Sequence, residues 1–119
     1  QADAIVNRIE EAEKESDYQI VFYHGGKERV HTPEEWKIRA SRKLVDNGAD
    51  LVIGNHPHVL QPMETYNGVD IVYSLGNFCF GGSKRPENRT IIYQLIKLVF
   101  CRDSPHIFTY YMCRIVFWF

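Results

Sequence analysis

The sequence has few cysteines and lacks the spacing that a cysteine-based metal site requires. Cys79, Cys101 and Cys113 are the only three among 119 residues, and no two of them are close neighbours. Two of the three could form a disulfide, but one is left over, and buried free thiols are the simpler expectation. A long apolar run is also lacking. Residues 107–119 are too few to cross a bilayer and include Arg114, so we expect no membrane span in this chain.

An excess of charge of either sign is lacking as well. The formal net charge is −1, so no broad electrostatic field attracts nucleic acid or an acidic membrane, and no nucleic-acid partner is expected. Lys84, Arg85 and Arg89 form a basic cluster in a segment that contains glycine and proline. A solvated loop is the simpler interpretation of this cluster, and a contact for an anionic substrate is the alternative.

The composition that is present is that of a globular chain, with 45% apolar and 24% charged residues. A chain of this length fits one domain or part of one, and it buries about two thirds of its surface on folding. The first residues already follow a helical pattern, with Ile5, Ile9 and Ala12 on one face, and the chain stops within an apolar run. We therefore expect a fragment of a longer protein, and secretion is left open.

The clearest helix signal is the segment TPEEW at residues 32–36. Thr32 is predicted to be the N-cap and Pro33 the first helical residue, with Glu35 completing a capping box. Gly48 is predicted to end the helix, in the left-handed conformation that glycine adopts easily. The inward face of this helix is expected to consist of Trp36, Ala40, Leu44 and Val45.

Short apolar runs precede and follow this helix. Residues 18–23 (YQIVFY) and 49–54 (ADLVIG) have the β-branched and aromatic composition of buried strands. Strand, helix and strand in this order predict a βαβ unit, whose two strands run parallel and are joined by a right-handed crossover. Parallel strands bring their carboxyl ends to one sheet edge, where the ligand sites of open α/β sheets gather.

Three histidines follow these two predicted strands. His24 comes directly after the first strand, and His56 and His58 lie in the loop GNHPH after the second. Pro57 disfavours the helical region for His56, so we expect an extended loop that presents both imidazoles on one side. The three imidazoles are predicted to meet at one sheet edge and to bind one divalent metal ion or two neighbouring ones. For each histidine taken alone, a structural role is the ordinary alternative.

Two polar residues, Glu28 and Asn77, are further candidates for the site. Glu28 is a candidate to orient a histidine or to act on substrate, and a solvated surface charge is the alternative. Asn77, just past a predicted strand, is a candidate to bring its amide to the site, and a turn with a local side-chain hydrogen bond is the alternative. We interpret His31 and His106 as structural or exposed.

The second half of the chain favours antiparallel β-structure. Alternating runs at residues 63–78 surround Asn67-Gly68, the strongest short signal for a hairpin. Residues 90–100 and 107–119 are predicted to be two more strands, separated by the turn CRDSPH. The predicted fold class is therefore α/β, with antiparallel strands towards the end of the chain.

Several of these motifs together resemble the bacterial capsule synthesis protein CapA family. The stretches HGGKE and GADLVIGNHPHVLQPMETYNGVDIVYSLGNFCFGG carry the resemblance, which covers roughly residues 1–92. The match looks like the second half of that family's domain. We therefore expect residues 1–100 to be the C-terminal part of a CapA-like domain and residues 101–119 to be a divergent β tail of the same domain.

The resemblance implies a fold and a metal site. CapA proteins are similar to calcineurin-like metallophosphoesterases, which implies part of a four-layer α/β/β/α sandwich with mixed sheets and a dinuclear metal site. His24 matches that superfamily's lone histidine after a strand, and His56 and His58 match its later histidine loop. The implied cofactors are divalent ions, one or two in number, of Mn, Fe or Zn. The superfamily's earlier aspartate and asparagine–histidine motifs would lie upstream of Gln1, so this chain is expected to hold at most half a site.

The implied function is a metallophosphoesterase-like role in poly-γ-glutamate capsule biosynthesis or export. Hydrolysis, assistance to an amide ligase and polymer handling all fit, and this fragment alone is expected to be inactive. The implied partners are an anionic polymer or phosphoester substrate and other capsule synthesis proteins, with membrane contact only through segments outside this chain. The implied location is the bacterial cell surface or an extracytoplasmic membrane face, and a cytoplasmic location is left open. The alternative function is a non-catalytic binding or scaffold domain without a working metal centre.

Overall fold

The computed structural model describes residues 2–78, 89–95 and 114–118, and of residues 2–4, 13 and 114–118 it describes the backbone alone. In chain order the elements are α1 (Ala2–Glu13), β1 (Ile20–His24), α2 (Glu35–Asp46), β2 (Leu51–Asn55), β3 (Leu60–Tyr66), β4 (Val69–Leu75), β5 (Thr90–Gln94) and β6 (Arg114–Trp118). The three cysteines, Lys84, Arg85, His106 and the predicted CRDSPH turn lie outside the described residues. Each of the two described helices has 12 residues, and neither is long and apolar enough to cross a membrane.

A mixed four-stranded sheet forms the centre of the described part. Its order is β1-β2-β4-β3, with β1, β2 and β4 parallel and β3 antiparallel to β4. β1 pairs with β2 from Ile20↔Leu51 to His24↔Asn55, and α2 connects the two strands. The α/β class and the predicted strand–helix–strand unit with parallel strands are therefore confirmed.

The hairpin around Asn67-Gly68 is also confirmed. β3 and β4 pair as far as Tyr66↔Val69, and the two residues between them have φ of 50° and 81°. Positive φ at both central residues is the geometry of a type I′ turn, whose twist matches that of the flanking strands. β5 and β6 form a separate antiparallel pair within the two segments predicted to be further strands.

The sheet has an apolar cluster on each face, because successive side chains of a strand point to opposite sides. On one face, Val52 and Ile71 belong to a buried cluster with Val45 of α2. On the other face, Ile53 belongs to a cluster with Ile91 of β5. The central strands are thus covered on both sides, as parallel strands in α/β proteins usually are.

β1 is less buried than its apolar sequence predicted. The prediction of a buried strand holds for one face only, since Ile20 is 45% exposed and Phe22 is 67% exposed. Val21 and Tyr23, which point to the other face, pack against the cluster beneath α2. The reason is that β1 is an edge strand of the sheet within the described part of the chain.

Helix α2 begins later than the sequence predicted. Its N-cap is Glu34, with extended backbone at φ −69° and ψ 149°, so the prediction of Thr32 as the N-cap is wrong. The Glu34 carboxylate does not cap its own helix, because it accepts the backbone N–H of Lys27 at 2.7 Å. The end of the helix is as predicted, since Gly48 has φ of 104° and its N–H donates to the Val45 carbonyl.

The buried residues of α2 are Lys37, Ser41 and Val45. Of the predicted inward face, Leu44 is partly buried, but Trp36 is 50% exposed and Ala40 is exposed, so the prediction is wrong for these two. Trp36 and Ala40 line a cavity of about 420 Å³ that α1 and α2 share. The helix is rotated from the predicted position because a buried acceptor, Gln61, draws the lysine inward.

The position of the N-cap can be tested by mutation. We predict that Thr32→Ala changes the free energy of unfolding by less than about 0.5 kcal/mol, because Thr32 is exposed and lies outside the helix. Glu34→Ala removes the acceptor of the Lys27 N–H and is expected to cost about 1 kcal/mol or more. Urea unfolding of both variants measures the difference. A loss of about 1 kcal/mol for Thr32→Ala would restore Thr32 as the cap.

Gly54 in β2 is a glycine that the packing of the sheet requires. A Cβ there would lie 2.5 Å from the Tyr23 hydroxyl oxygen and would also overlap the carbonyl oxygen of Tyr73. We predict that Gly54→Ala lowers the free energy of unfolding by about 3 kcal/mol. Gly25→Ala is the control, because its Cβ would meet Trp36 at an ordinary 3.8 Å. Equal losses in the two variants would show that this part of the sheet yields to the extra methyl group.

Candidate functional site

The carboxyl ends of β1 and β2 meet at one edge of the sheet. Beyond β1, the Gly25 N–H still donates to the Asn55 carbonyl at 3.1 Å. His24 Nε2 and His56 Nδ1 lie 3.0 Å apart, and their ring centroids are 4.8 Å apart in an edge-on arrangement. The prediction that these histidines meet at one edge is confirmed, while their role as metal ligands stays a prediction.

Residues 56–59 turn the chain from β2 into β3, and their backbone is not extended as the sequence predicted. His56 has φ of 102° and His58 has φ of 59°, in the region that residues with a Cβ disfavour. The expectation drawn from Pro57 is wrong because β3 runs antiparallel to β4 and hence to β2, so the loop has to reverse direction quickly. The two rings still lie close together, with centroids 5.8 Å apart. Backbone strain of this kind is concentrated at functional sites.

Asn77 fixes the orientation of His58. The Asn77 Nδ2 donates to the His58 carbonyl at 2.9 Å, and the Asn77 Oδ1 lies 2.8 Å from His58 Nδ1. Because an amide oxygen only accepts, His58 Nδ1 is the donor in this contact. Metal-binding histidines are commonly oriented by such a partner. The geometry therefore favours an orienting role for Asn77 over a purely local turn.

Glu28 lies close to the two histidines of the HPH loop. One ligand atom each from Glu28, His56 and His58 lie within 4.8 Å of one another. The segment that carries Glu28 is held there because the Arg29 N–H donates to the Pro57 carbonyl at 2.7 Å. The sequence suggested a supporting role for Glu28, whereas its position makes it a candidate ligand in its own right. No local signal distinguishes it from other surface glutamates.

The donor atoms at this edge suit a divalent transition metal. Imidazole nitrogens together with a carboxylate are ligands that Zn, Mn and Fe accept. Two nitrogens bound to one ion at about 2.1 Å lie about 3.0–3.4 Å from each other. The nitrogens of His24 and His56 are 3.0 Å apart, within this range, but they face each other as a hydrogen-bonded pair, so one ring would have to turn before both nitrogens could bind one ion.

Among the described residues near the site, the pKa shifts indicate no further candidate acid or base. Burial raises the pKa of Tyr23 to about 12, against a smaller opposing effect of Ser41, so its hydroxyl stays protonated at neutral pH. A charged network further along β3 is structural, since Arg42 Nη2 and Nε donate to the Glu64 carboxylate at 2.8 and 3.0 Å. This hydrogen bonding lowers the pKa of Glu64 and ties α2 to the edge of the sheet.

Two further residues singled out in the sequence lie outside the cluster. His31 is exposed and has its Nδ1 3.1 Å from the Leu60 carbonyl, which agrees with the structural interpretation. Arg89, the described member of the predicted basic cluster, is exposed. Its carbonyl accepts the Asn77 N–H at 3.3 Å, so its backbone supports the residue that orients His58.

Parts of several known proteins are similar to this chain. The family model described as bacterial capsule synthesis protein PGA_cap matches residues 1–82, which include every candidate site residue. The "PGA biosynthesis protein CapA" of Bacillus subtilis is 39% identical over 97 residues, and the "Capsule biosynthesis protein CapA" of Bacillus anthracis is 33% identical over 99 residues. These matches cover 80% and 78% of this chain but 26% and 24% of the relatives, so the chain spans about a quarter of their length. A "Probable polyglutamine synthesis accessory protein" of Mycobacterium tuberculosis is 28% identical over 76 residues, 64% of this chain and 20% of that protein.

The left-handed backbone at His56 gives a prediction that separates folding from metal binding. His56→Gly relieves the strain of a φ of 102°, whereas His56→Ala keeps it. We expect the glycine variant to be more stable than the alanine variant by about 1 kcal/mol. Both variants lack the imidazole, so the difference reports the backbone alone. Urea unfolding without added metal measures it, and an alanine variant as stable as the glycine variant would show that the loop is unstrained.

Proposed function

This chain belongs to the bacterial capsule synthesis protein PGA_cap family, and on that premise we propose that it serves poly-γ-glutamate biosynthesis or export as a metallophosphoesterase-like domain. The names of the two Bacillus relatives refer to PGA and capsule biosynthesis, and they support the proposed role in poly-γ-glutamate biosynthesis. The observation that carries the proposed chemistry is the convergence of Glu28, His56 and His58 within 4.8 Å at a sheet edge. His24, 3.0 Å from His56, adds a further imidazole.

In this proposal the carboxylate and the imidazoles hold a divalent ion of Mn, Fe or Zn. Such an ion, when bound, polarises a phosphoryl or carbonyl oxygen and lowers the pKa of a coordinated water. His58 would bind through Nε2, because Asn77 holds its Nδ1. Glu28 would contribute the negative charge that offsets part of the charge of the ion.

A second ion would need further ligands. Two-metal centres hold their ions about 3.5–4 Å apart, and Glu28 is the one carboxylate in the cluster that the described residues form. We propose that this chain supplies half of a dinuclear site. The other half would come from parts of the longer family members that this chain does not span.

The finer fold that we propose is part of a four-layer α/β/β/α sandwich. Its support is the apolar face of β1 away from α2, where Ile20 is 45% and Phe22 is 67% exposed. Ile91 of β5 already packs on this side of the sheet, and a second sheet there would bury the exposed pair. Residues 1–100 would then be the C-terminal part of the domain, and residues 101–119 a divergent β tail.

The proposed substrate is an anionic polymer or a phosphoester. The relative from Mycobacterium tuberculosis is named as an accessory protein, which supports the idea that the family works beside other synthesis proteins. We place the longer protein at the bacterial cell surface or at an extracytoplasmic membrane face, where a capsule polymer is exported. Any contact with the membrane would come from segments outside this chain.

A non-catalytic scaffold is the second candidate function. It is favoured by the exposure of Glu28 and His24 and by the presence of one carboxylate in the described cluster. A scaffold would keep the fold, and even an ion, without turning over a substrate. Phosphoesterase assays on a longer family member that contains this chain separate the two functions.

We predict that this chain binds Zn²⁺ or Mn²⁺ but does not hydrolyse phosphodiesters by itself. In calorimetric titrations, the variant His56→Ala/His58→Ala is expected to lose the binding isotherm of the wild-type chain. Asn77→Ala should weaken binding by about 10–100-fold, because it releases the orientation of His58. The matched control is His31→Ala, which removes an exposed histidine outside the cluster and should leave the affinity unchanged.

Two results would contradict this account. Equal binding by the wild-type chain and the double histidine variant would remove the HPH loop from the metal site. Robust hydrolysis of a generic phosphodiester by this chain would show that it contains more than half of a centre.

A further inference from the structure

Lys37 is a buried lysine next to the candidate site, and the proposed chemistry does not use it. Its relative exposure is 0%, although it lies in the first turns of a helix whose other residues are largely exposed. Lysine is almost never fully buried without a partner, because the ammonium group loses its hydration. Burial lowers the pKa of Lys37, and the nearby Glu34 carboxylate opposes that shift.

Two hydrogen bonds connect Lys37 to the loop that follows β1. Its Nζ donates to Gln61 Oε1 at 2.7 Å. Gln61 is itself only 5% exposed, and its Nε2 donates to the Val30 carbonyl at 2.8 Å. The ammonium group also lies 5.4 Å from the centre of the Tyr23 ring, at a distance where the cation is attracted to the ring face.

Glu34 holds the other end of the same loop. Its Oε1 accepts the Lys27 N–H at 2.7 Å. Glu34 and Lys37 both crowd Gly26, where a Cβ would lie 3.4 Å from Glu34 Oε2 and 3.3 Å from Lys37 Nζ. Gly26 also has φ of 118°, a conformation that glycine adopts easily. Because glycine has no Cβ, the backbone can lie close to both charged groups.

Glu28 lies between these points of attachment. Lys27 is held by the N-cap residue of α2, Val30 by β3, and Arg29 by the Pro57 carbonyl. Glu28 itself is exposed, so its direction is set by the backbone of the loop more than by packing of its side chain. The position of its carboxylate near the histidines therefore depends on these attachments.

We propose that the Lys37–Gln61 pair, with Glu34 as a second attachment, positions the loop at residues 25–30 and so holds Glu28 against the histidines of the HPH loop. Lys37 is thus a positioning residue that acts through Glu28. The consequence for metal binding rests on the proposed function, whereas the ordering of the loop rests on the hydrogen bonds alone. A lysine that only stabilised the fold would change the metal affinity to the same extent with and without the Glu28 carboxylate.

The test is a double-mutant cycle on Lys37 and Glu28. Lys37→Met keeps the length of the side chain and removes the ammonium group. We expect it to weaken Mn²⁺ binding by about tenfold or more in the wild-type background. In the Glu28→Gln background we expect less than about threefold, because a residue that acts through Glu28 has no carboxylate left to position. The matched control is Lys43→Met, which removes an exposed lysine of the same helix and should leave the affinity unchanged in both backgrounds.

A second measurement needs no metal. Amide hydrogen exchange of Lys27 and Arg29 is expected to become about tenfold or more faster in Lys37→Met, while the amides of β2 keep their protection. If Lys37→Met does not fold, Lys37→Met/Gln61→Met takes its place. Removing both partners leaves neither a buried ammonium nor the amide that accepts from it, a change that proteins often tolerate.

The outcomes distinguish this inference from the proposed function. Unchanged Mn²⁺ affinity in Lys37→Met, or equal losses in the two backgrounds, would overturn the inference and leave the metal site standing. A wild-type chain that binds neither Mn²⁺ nor Zn²⁺ would overturn the proposed metal site, and the exchange rates would then decide the inference by themselves. Unchanged exchange of the loop amides in Lys37→Met would overturn it in every case.

Discussion

The parallel pairing of β1 with β2 is the constraint on which the candidate site depends. Its register places His24 opposite Asn55, so the chain leaves both strands at the same level of the sheet. The residues at the ends of the two strands therefore lie side by side. The 3.0 Å between His24 Nε2 and His56 Nδ1 is a consequence of that register. A shift of β1 by one residue would turn His24 to the other face of the sheet and separate the two imidazoles.

The loops that leave these strands support each other in conformations that an isolated peptide would avoid. His56, His58 and Arg29 all have positive φ, and the Arg29 N–H donates to the Pro57 carbonyl between the two histidines. Strain of this kind persists only where the surrounding structure over-determines the backbone. Here the surroundings are polar, since Glu34 accepts from the backbone of the loop that carries Glu28 and Gln61 donates to it. Hydrogen bonds to the backbone at Lys27, Arg29 and Val30 therefore accompany the strained loops at this edge of the sheet.

Local signals in the sequence predict the fold better than they predict the site. The Asn-Gly turn identifies its hairpin because a two-residue turn needs positive φ at both positions, and the apolar runs identify the parallel strands that bring the histidines together. Contacts between distant residues decide the rest. Lys37 turns inward because Gln61 is there to accept its hydrogen bond, and Glu34 binds a loop backbone instead of capping its own helix. Glu28 likewise has the sequence context of a surface charge, and its place near the histidines depends on how the loop is held.

Anomalous X-ray diffraction from crystals of this chain soaked in Zn²⁺ tests the central claim most directly, because it locates the ion and its ligands without assuming a reaction. The account predicts a peak at the carboxyl ends of β1 and β2, about 2.0–2.2 Å from a nitrogen of His56, from Nε2 of His58 and from a carboxylate oxygen of Glu28. A peak held by other residues, or no peak at this edge under saturating Zn²⁺, would contradict it.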